Sequence, residues 1–130
     1  MSLNDPLANV LSAIQNAEQR GKPSVTTKNN STLIRKVLDI MIGKGYLEGY
    51  EVIPDSKGST LTIALGGKIN KTGVIKPRYQ IRKGSFERFE KRYLPARGFG
   101  IIIVSTSHGL LTHEEAKEKG VGGTLISYCY

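Results

Sequence analysis

The chain has 130 residues, 38% of them hydrophobic, which allows a folded core of ordinary domain size and argues against disorder. Nineteen Lys and Arg stand against eleven Asp and Glu, a net charge of +8 that favours a polyanionic partner such as nucleic acid. The longest apolar run, Ile101–Val104, is far too short for a bilayer span; Met1–Pro6 lacks the parts of a secretory signal, and Cys129, the single cysteine, cannot form an internal disulfide, so a cytoplasmic protein is expected.

Asp5-Pro6 predicts a helix start, because Asp accepts orphan amides and Pro suits the first helical position. Leu7, Val10, Leu11, Ile14 and Ala17 recur at helical spacing until Gly21 stops the helix. Val25–Thr27 reads as a short strand. Ser31 or Asn30 caps a second helix with Ile34, Val37, Leu38 and Met41 on one face, ended by Gly43 and Gly45. A hairpin follows: strand Tyr46–Ile53, turn Pro54–Gly58, strand Ser59–Leu65, with Leu61, Ile63 and Leu65 alternating against Thr60, Thr62 and Ala64.

Gly66-Gly67 is a candidate boundary. Beyond it the pattern predicts a strand over Arg78–Arg82, a helix over Phe86–Arg92 and an apolar strand over Gly100–Ser105. Thr112-His113-Glu114-Glu115 has the form of a capping box opening a helix that ends at Gly120, and Gly123–Tyr130 is a last strand. The expected class is α+β, in two small α/β lobes. Residues 1–67 form a helix-strand-helix-hairpin lobe, and residues 68–130 form a lobe that is mainly β with a short helix.

The charge is unevenly placed. Residues 68–97 carry ten basic and two acidic side chains, whereas residues 1–67 are net +1 and residues 98–130 net −1. Lys76, Arg78 and Arg82 lie in the basic stretch, interleaved with Tyr79, Phe86, Phe89 and Tyr93. Basic groups neutralise phosphates and release counterions, and aromatics can stack on unpaired bases. Phe86, Phe89 and Tyr93 recur at helical spacing, however, which is the pattern of a core face.

Catalytic patterns are weak. Ser105-Thr106-Ser107-His108 pairs hydroxyls with an imidazole, but neighbours on a strand point to opposite faces and no nucleophile elbow surrounds them, so the run reads as a turn. Two His and one Cys give no metal-ligand spacing. Gly21-Lys22, Gly43-Lys44 and Gly67-Lys68 are not followed by Ser or Thr, and Gly120-Val121-Gly122-Gly123 precedes a strand, so neither a Walker loop nor a dinucleotide fingerprint is present. No enzyme, cofactor, metal, small-molecule substrate or membrane partner is expected.

Gly98-Phe99-Gly100-Ile101-Ile102-Ile103-Val104-Ser105-Thr106-Ser107-His108-Gly109-Leu110-Leu111-Thr112-His113-Glu114-Glu115-Ala116, followed by Gly120-Val121-Gly122-Gly123, closely resembles the ribosomal small-subunit protein eight family. The resemblance extends to Asp5-Pro6-Leu7-Ala8, Ser31-Thr32-Leu33 and Gly45-Tyr46-Leu47, and the insertion Lys83–Leu94 is similar to the archaeal and eukaryotic branch. It implies two α/β lobes and a structural role in the small ribosomal subunit. The expected partners are the central domain of the small-subunit ribosomal RNA, bound early in assembly, and neighbouring ribosomal proteins. It further implies an RNA site at Ser105, Thr106, Ser107, Gly122, Gly123 and Tyr128, with a second contact near Lys28, Asn30, Ser31 and Arg35. Thr124 stands where bacterial members often have Glu. Repression of its own operon through a mimic stem, and an enzyme acting on a phosphorylated ligand, are the alternative readings.

Overall fold

The structure is a computed structural model that describes residues 6–28, 31–56, 58–76, 78–82, 84–96 and 98–130. Among these are four helices and eight strands, the strands in two antiparallel sheets, an α+β fold. In chain order they are α1 (Pro6–Gln19), β1 (Ser24–Thr27), α2 (Thr32–Gly43), β2 (Leu47–Asp55), β3 (Gly58–Leu65), β4 (Thr72–Val74), β5 (Gln80–Ile81), α3 (Phe86–Tyr93), β6 (Ile101–Thr106), β7 (Gly109–Thr112), α4 (His113–Lys119) and β8 (Gly123–Cys129). The chain divides into two compact units, Met1–Thr72 and Gly73–Tyr130.

In the first unit, α1 buries Leu7, Val10, Leu11, Ile14 and Ala17, and α2 buries Ile34, Val37, Leu38 and Met41, as their spacing predicts. The Ser31 hydroxyl accepts from the Ile34 amide at 3.2 Å and so caps α2; Asp5 and Asn30, the other expected caps, lie outside the described residues. The sheet runs in the order β1-β3-β2, and β3 turns Leu61, Ile63 and Leu65 into the core. Each such side chain contributes roughly 1.5–3 kcal/mol on burial. The chain after β3 is held to α1: Glu18 accepts from the amides of Gly67 and Ile69 at 3.1 and 3.2 Å, and Gln15 from that of Thr72 at 3.0 Å.

The hairpin corrects one expectation. Pro54 pairs with Ser59 and Asp55 with Gly58, so both strands extend into the segment Pro54–Gly58 expected as a turn. Proline reads as a turn signal, but β2 is an edge strand and tolerates a missing amide hydrogen.

In the second unit, β8 is central. It pairs with β6 on one side and with β4 and β5 on the other, and β7 completes a hairpin with β6. Ile75, Ile81, Phe86, Leu94, Ile102, Val104, Ala116 and Leu125 form the core of this unit. The capping box on α4 is present: Thr112 Oγ1 accepts from the Glu115 amide at 3.2 Å, and Glu115 Oε1 accepts from the Thr112 amide at 3.0 Å. Gly120 ends α4 in the left-handed conformation, φ 68°. Leu125, Ser127 and Cys129 are all buried on β8 but do not share one face, because the β6–β8 register slips between Ile103 and Val104 and leaves Ile126, also buried, as the extra residue. Leu125 pairs with Val104 and joins the core that holds Ile102, whereas Ser127 and Cys129 pair with Ile103 and Ile101. The strand expected over Arg78–Arg82 shrinks to Gln80–Ile81; β6 includes Ser105, as the strand expected over Gly100–Ser105 does, and also Thr106, so the turn expected over Ser105–His108 shrinks to residues 107–108 and β7 begins at Gly109.

Candidate nucleic-acid interface

The Ser-Thr-Ser run sits at the end of β6. Ser105 pairs with Leu110 of β7 on one side and with Thr124 of β8 on the other. Ser105 and Ser107 are exposed, and neither hydroxyl has a hydrogen-bond partner among the described residues, so both are open to a ligand. Thr106 differs. Its hydroxyl donates to the Gly109 carbonyl at 2.8 Å and accepts from the His108 amide at 3.0 Å, closing the hairpin. It shapes the turn that presents its two neighbours. The His108 group that meets a hydroxyl is thus its backbone amide.

Gly122 and Gly123 lead into β8 beside this hairpin. A Cβ at Gly123 would clash with the Ser105 carbonyl oxygen and lie 3.0 Å from Val104 Cγ1. The glycine is required by the approach of two strands. Neither Gly122 nor Gly123 has a positive φ, so close approach, not a left-handed turn, is what calls for glycine at 123. On the far side of β8, Gln80 pairs with Thr124 and Ile81 with Gly123. Gln80, Ile81, Arg82, Gly123 and Thr124 line a shallow depression of about 320 Å³. The fold therefore brings Arg82 and Ser105 to opposite flanks of the same two β8 residues. Sequence separation hides this, and Gln80 carries no signal of its own.

Lys76 and Arg78 are exposed on the connection between β4 and β5, which lies along the same edge of β8: the Ile75 amide donates to Ile126, and the Tyr79 carbonyl accepts from Leu125. Tyr128 is elsewhere. It pairs with Ile102, four residues along β8 from Thr124, or about 13 Å at strand rise. There it packs on Tyr93 and Tyr130, with ring centroids 5.4 and 6.3 Å away, and stands over Gly73. Burial, then the neighbouring phenols Tyr130 and Tyr93, push its pKa up. Tyr79 and Phe89 are likewise paired with each other, at 5.2 Å. These rings are packing elements, as the helical spacing of the basic stretch suggests.

In the first unit, Lys28 is exposed just after β1, Ser31 caps α2, and Arg35 is half-buried one turn into that helix. Tyr50 of β2 joins this region through Asp39. Burial, and then a hydrogen bond to the Asp39 carboxylate and its charge, raise the Tyr50 pKa, with Arg35 acting in the opposite sense. Nothing in the sequence pattern marks Tyr50.

Among the described residues no three His, Cys, Asp or Glu side chains gather as metal ligands, and no helix is long and apolar enough to cross a membrane. His113, the first residue of α4, is fully buried: Nδ1 accepts from the Ile102 amide at 3.1 Å, and Nε2 lies 3.0 Å from Glu90 Oε1 but off the line of a hydrogen bond. Open hydroxyls, a bare glycine backbone and a flanking guanidinium thus converge at one end of the second unit's sheet, and over this framework residues 5–130 match the family described as Ribosomal protein S8: the chain belongs to that family of structural proteins of the small ribosomal subunit.

Proposed function

We propose that this protein binds the central domain of the small-subunit ribosomal RNA and supports its assembly, with Ser105, Ser107 and the Gly122–Thr124 strand start meeting an irregular stem. The observation that carries this reading is the pairing of Ser105 with Thr124 while Gly123 lies against the Ser105 backbone. Small hydroxyls both donate and accept, and a surface without side-chain bulk can approach base edges and 2′-hydroxyls closely. Arg82 beside the strand start, with Arg78 and Lys76 along the same edge, supplies phosphate contacts that position without reading sequence. Lys28, Ser31 and Arg35 make a second contact from the first unit. The insertion 83–94 is that of the archaeal and eukaryotic branch, and the site of action is the small subunit in the cytoplasm.

RNase footprinting of a central-domain transcript tests this. Protection of one stem with a bulged or distorted segment is the expected result. A uniform footprint, or none at concentrations that saturate a filter assay, overturns it.

A further inference from the structure

The basic stretch holds a second surface, on α3. Phe86 is buried, Phe89 packs on Tyr79, and Tyr93 packs on Tyr128. Helical geometry then turns Glu87, Arg88, Lys91 and Arg92 to the opposite side, and all four are exposed. The remaining carboxylate of the helix, Glu90, is turned inward and only 12% exposed, where its two oxygens accept from Lys117 Nζ at 2.8 and 2.7 Å. With one carboxylate withdrawn and neutralised, the outward face carries three cations against Glu87.

Arg92 is also held in place. Its guanidinium lies 5.6 and 5.5 Å from the ring centroids of Tyr79 and Tyr93 and donates to the Tyr79 hydroxyl at 3.3 Å. Rings fix a guanidinium without neutralising it. Arg88, Lys91 and Arg92 have no carboxylate within ion-pair distance among the described residues. Solubility alone needs no such ordering.

The direction of the helix matters. β5, just before it, pairs with Gly123, whereas Tyr93 at its end packs on Tyr128. Those two β8 residues are about 17 Å apart at strand rise. The helix therefore leads away from the Ser105–Gly123 end of the sheet, with Arg88, Lys91 and Arg92 within one turn of it, about 6 Å of rise.

We propose that Arg88, Lys91 and Arg92 form a separate, sequence-independent contact to the phosphates of RNA lying beyond the stem. This inference rests on the reading that the protein holds a small-subunit ribosomal RNA stem. The test is a mobility-shift titration over a salt series, comparing the full chain with the double variant Arg88→Gln/Lys91→Gln. Two RNAs are used: the footprinted stem alone and a transcript of the whole central domain. Arg88 and Lys91 are exposed, so circular dichroism of the variant should match the parent.

On the long transcript the variant is expected to bind about tenfold more weakly at 0.1 M salt, with a log–log salt slope shallower by about 1.5, the value for two lost phosphate contacts. On the stem alone it should equal the parent. Equal binding to the long transcript at every salt overturns the proposal, as does an equal loss on both RNAs, which would make α3 part of the stem site. Unaltered RNA binding with loss of a neighbouring acidic protein overturns it in favour of a protein contact. A parent chain that binds neither RNA overturns the underlying reading, a result distinct from all of these.

Discussion

Gly123 and Ser105 lie on adjacent strands so closely that a Cβ at position 123 would clash with the Ser105 carbonyl oxygen. This contact joins the two halves of the motif. The Ser-Thr-Ser hairpin and the glycine pair are one surface because β8 begins where β6 ends, with Ser105 opposite Thr124. Shape here depends on the absence of a side chain, and a clash would be met by backbone, which cannot swing aside.

Gly123→Ala should therefore cost about 3 kcal/mol, the upper range for overpacking, because neither strand can shift without breaking pairing. Urea denaturation reads this as a lower midpoint. Gly43 supplies the contrast: it ends α2, has an ordinary φ, and a Cβ there meets nothing within 4 Å. Gly43→Ala should raise stability by about 0.5 kcal/mol through helix propensity. Equal effects of the two substitutions would contradict the contact.

Ser105 and Thr106 should separate in the same assays. Ser105→Ala removes an open hydroxyl, so folding stability should stay within about 0.5 kcal/mol while affinity for the stem falls roughly tenfold, about 1.4 kcal/mol. Thr106→Ala removes a hydroxyl that donates to Gly109 and accepts from His108, so stability should fall by about 1–2 kcal/mol. Thr106→Ser should restore it. If Thr106→Ala lowers affinity with no change in stability, its hydroxyl reads RNA directly.

Much of this fold was legible because long elements carry their own pattern. Leu7 through Ala17 mark a helix face, Leu61, Ile63 and Leu65 mark a strand face, and Thr112 with Glu115 marks a cap. β4 and β5 have three and two residues and exist through pairing with β8, which no local window contains. The same long-range pairing sets Arg82 beside Gly123, so charge pattern could nominate Arg82 but could not give it a neighbour. The Ser-Thr-Ser run was visible as a motif, yet the division of labour within it was not. Thr106 closes the turn because its hydroxyl finds two backbone groups, a matter of geometry that composition does not carry. Tyr128, nominated by resemblance, packs at the other end of the sheet.

Ser31 offers a way to tell capping from RNA contact in the first unit. Its hydroxyl accepts from the Ile34 amide, so Ser31→Ala should lose about 1 kcal/mol of stability. Ser31→Asp keeps an acceptor at the cap and adds a negative charge, so stability should stay within about 0.5 kcal/mol. If phosphate lies near Lys28 and Arg35, that charge should weaken binding to the central-domain transcript several-fold. Undiminished binding by a well-folded Ser31→Asp variant would remove this region from the interface.

His113 sets an acid limit on the second unit. Its Nδ1 accepts from the Ile102 amide, which requires a neutral ring; a protonated ring would set an N–H against an N–H. Glu90, Glu114, Lys117 and the Ile102 amide all bear on it, the carboxylates favouring the charged form and Lys117 opposing it, but burial outweighs them and holds the pKa below its ordinary 6.5. The unfolded chain then takes up a proton near pH 6.5 while the folded chain does not. Stability contributed by the neutral ring is full above that pH and is lost as pH falls toward the depressed folded value, at no more than about 1.4 kcal/mol per pH unit. His113→Gln retains an acceptor for Ile102 and cannot titrate. It should cost about 1–2 kcal/mol at pH 8 and show a shallower decline in unfolding free energy between pH 7 and pH 5 than the parent. Denaturation midpoints across that range check the slope, and parallel curves for the two proteins would place the acid sensitivity elsewhere.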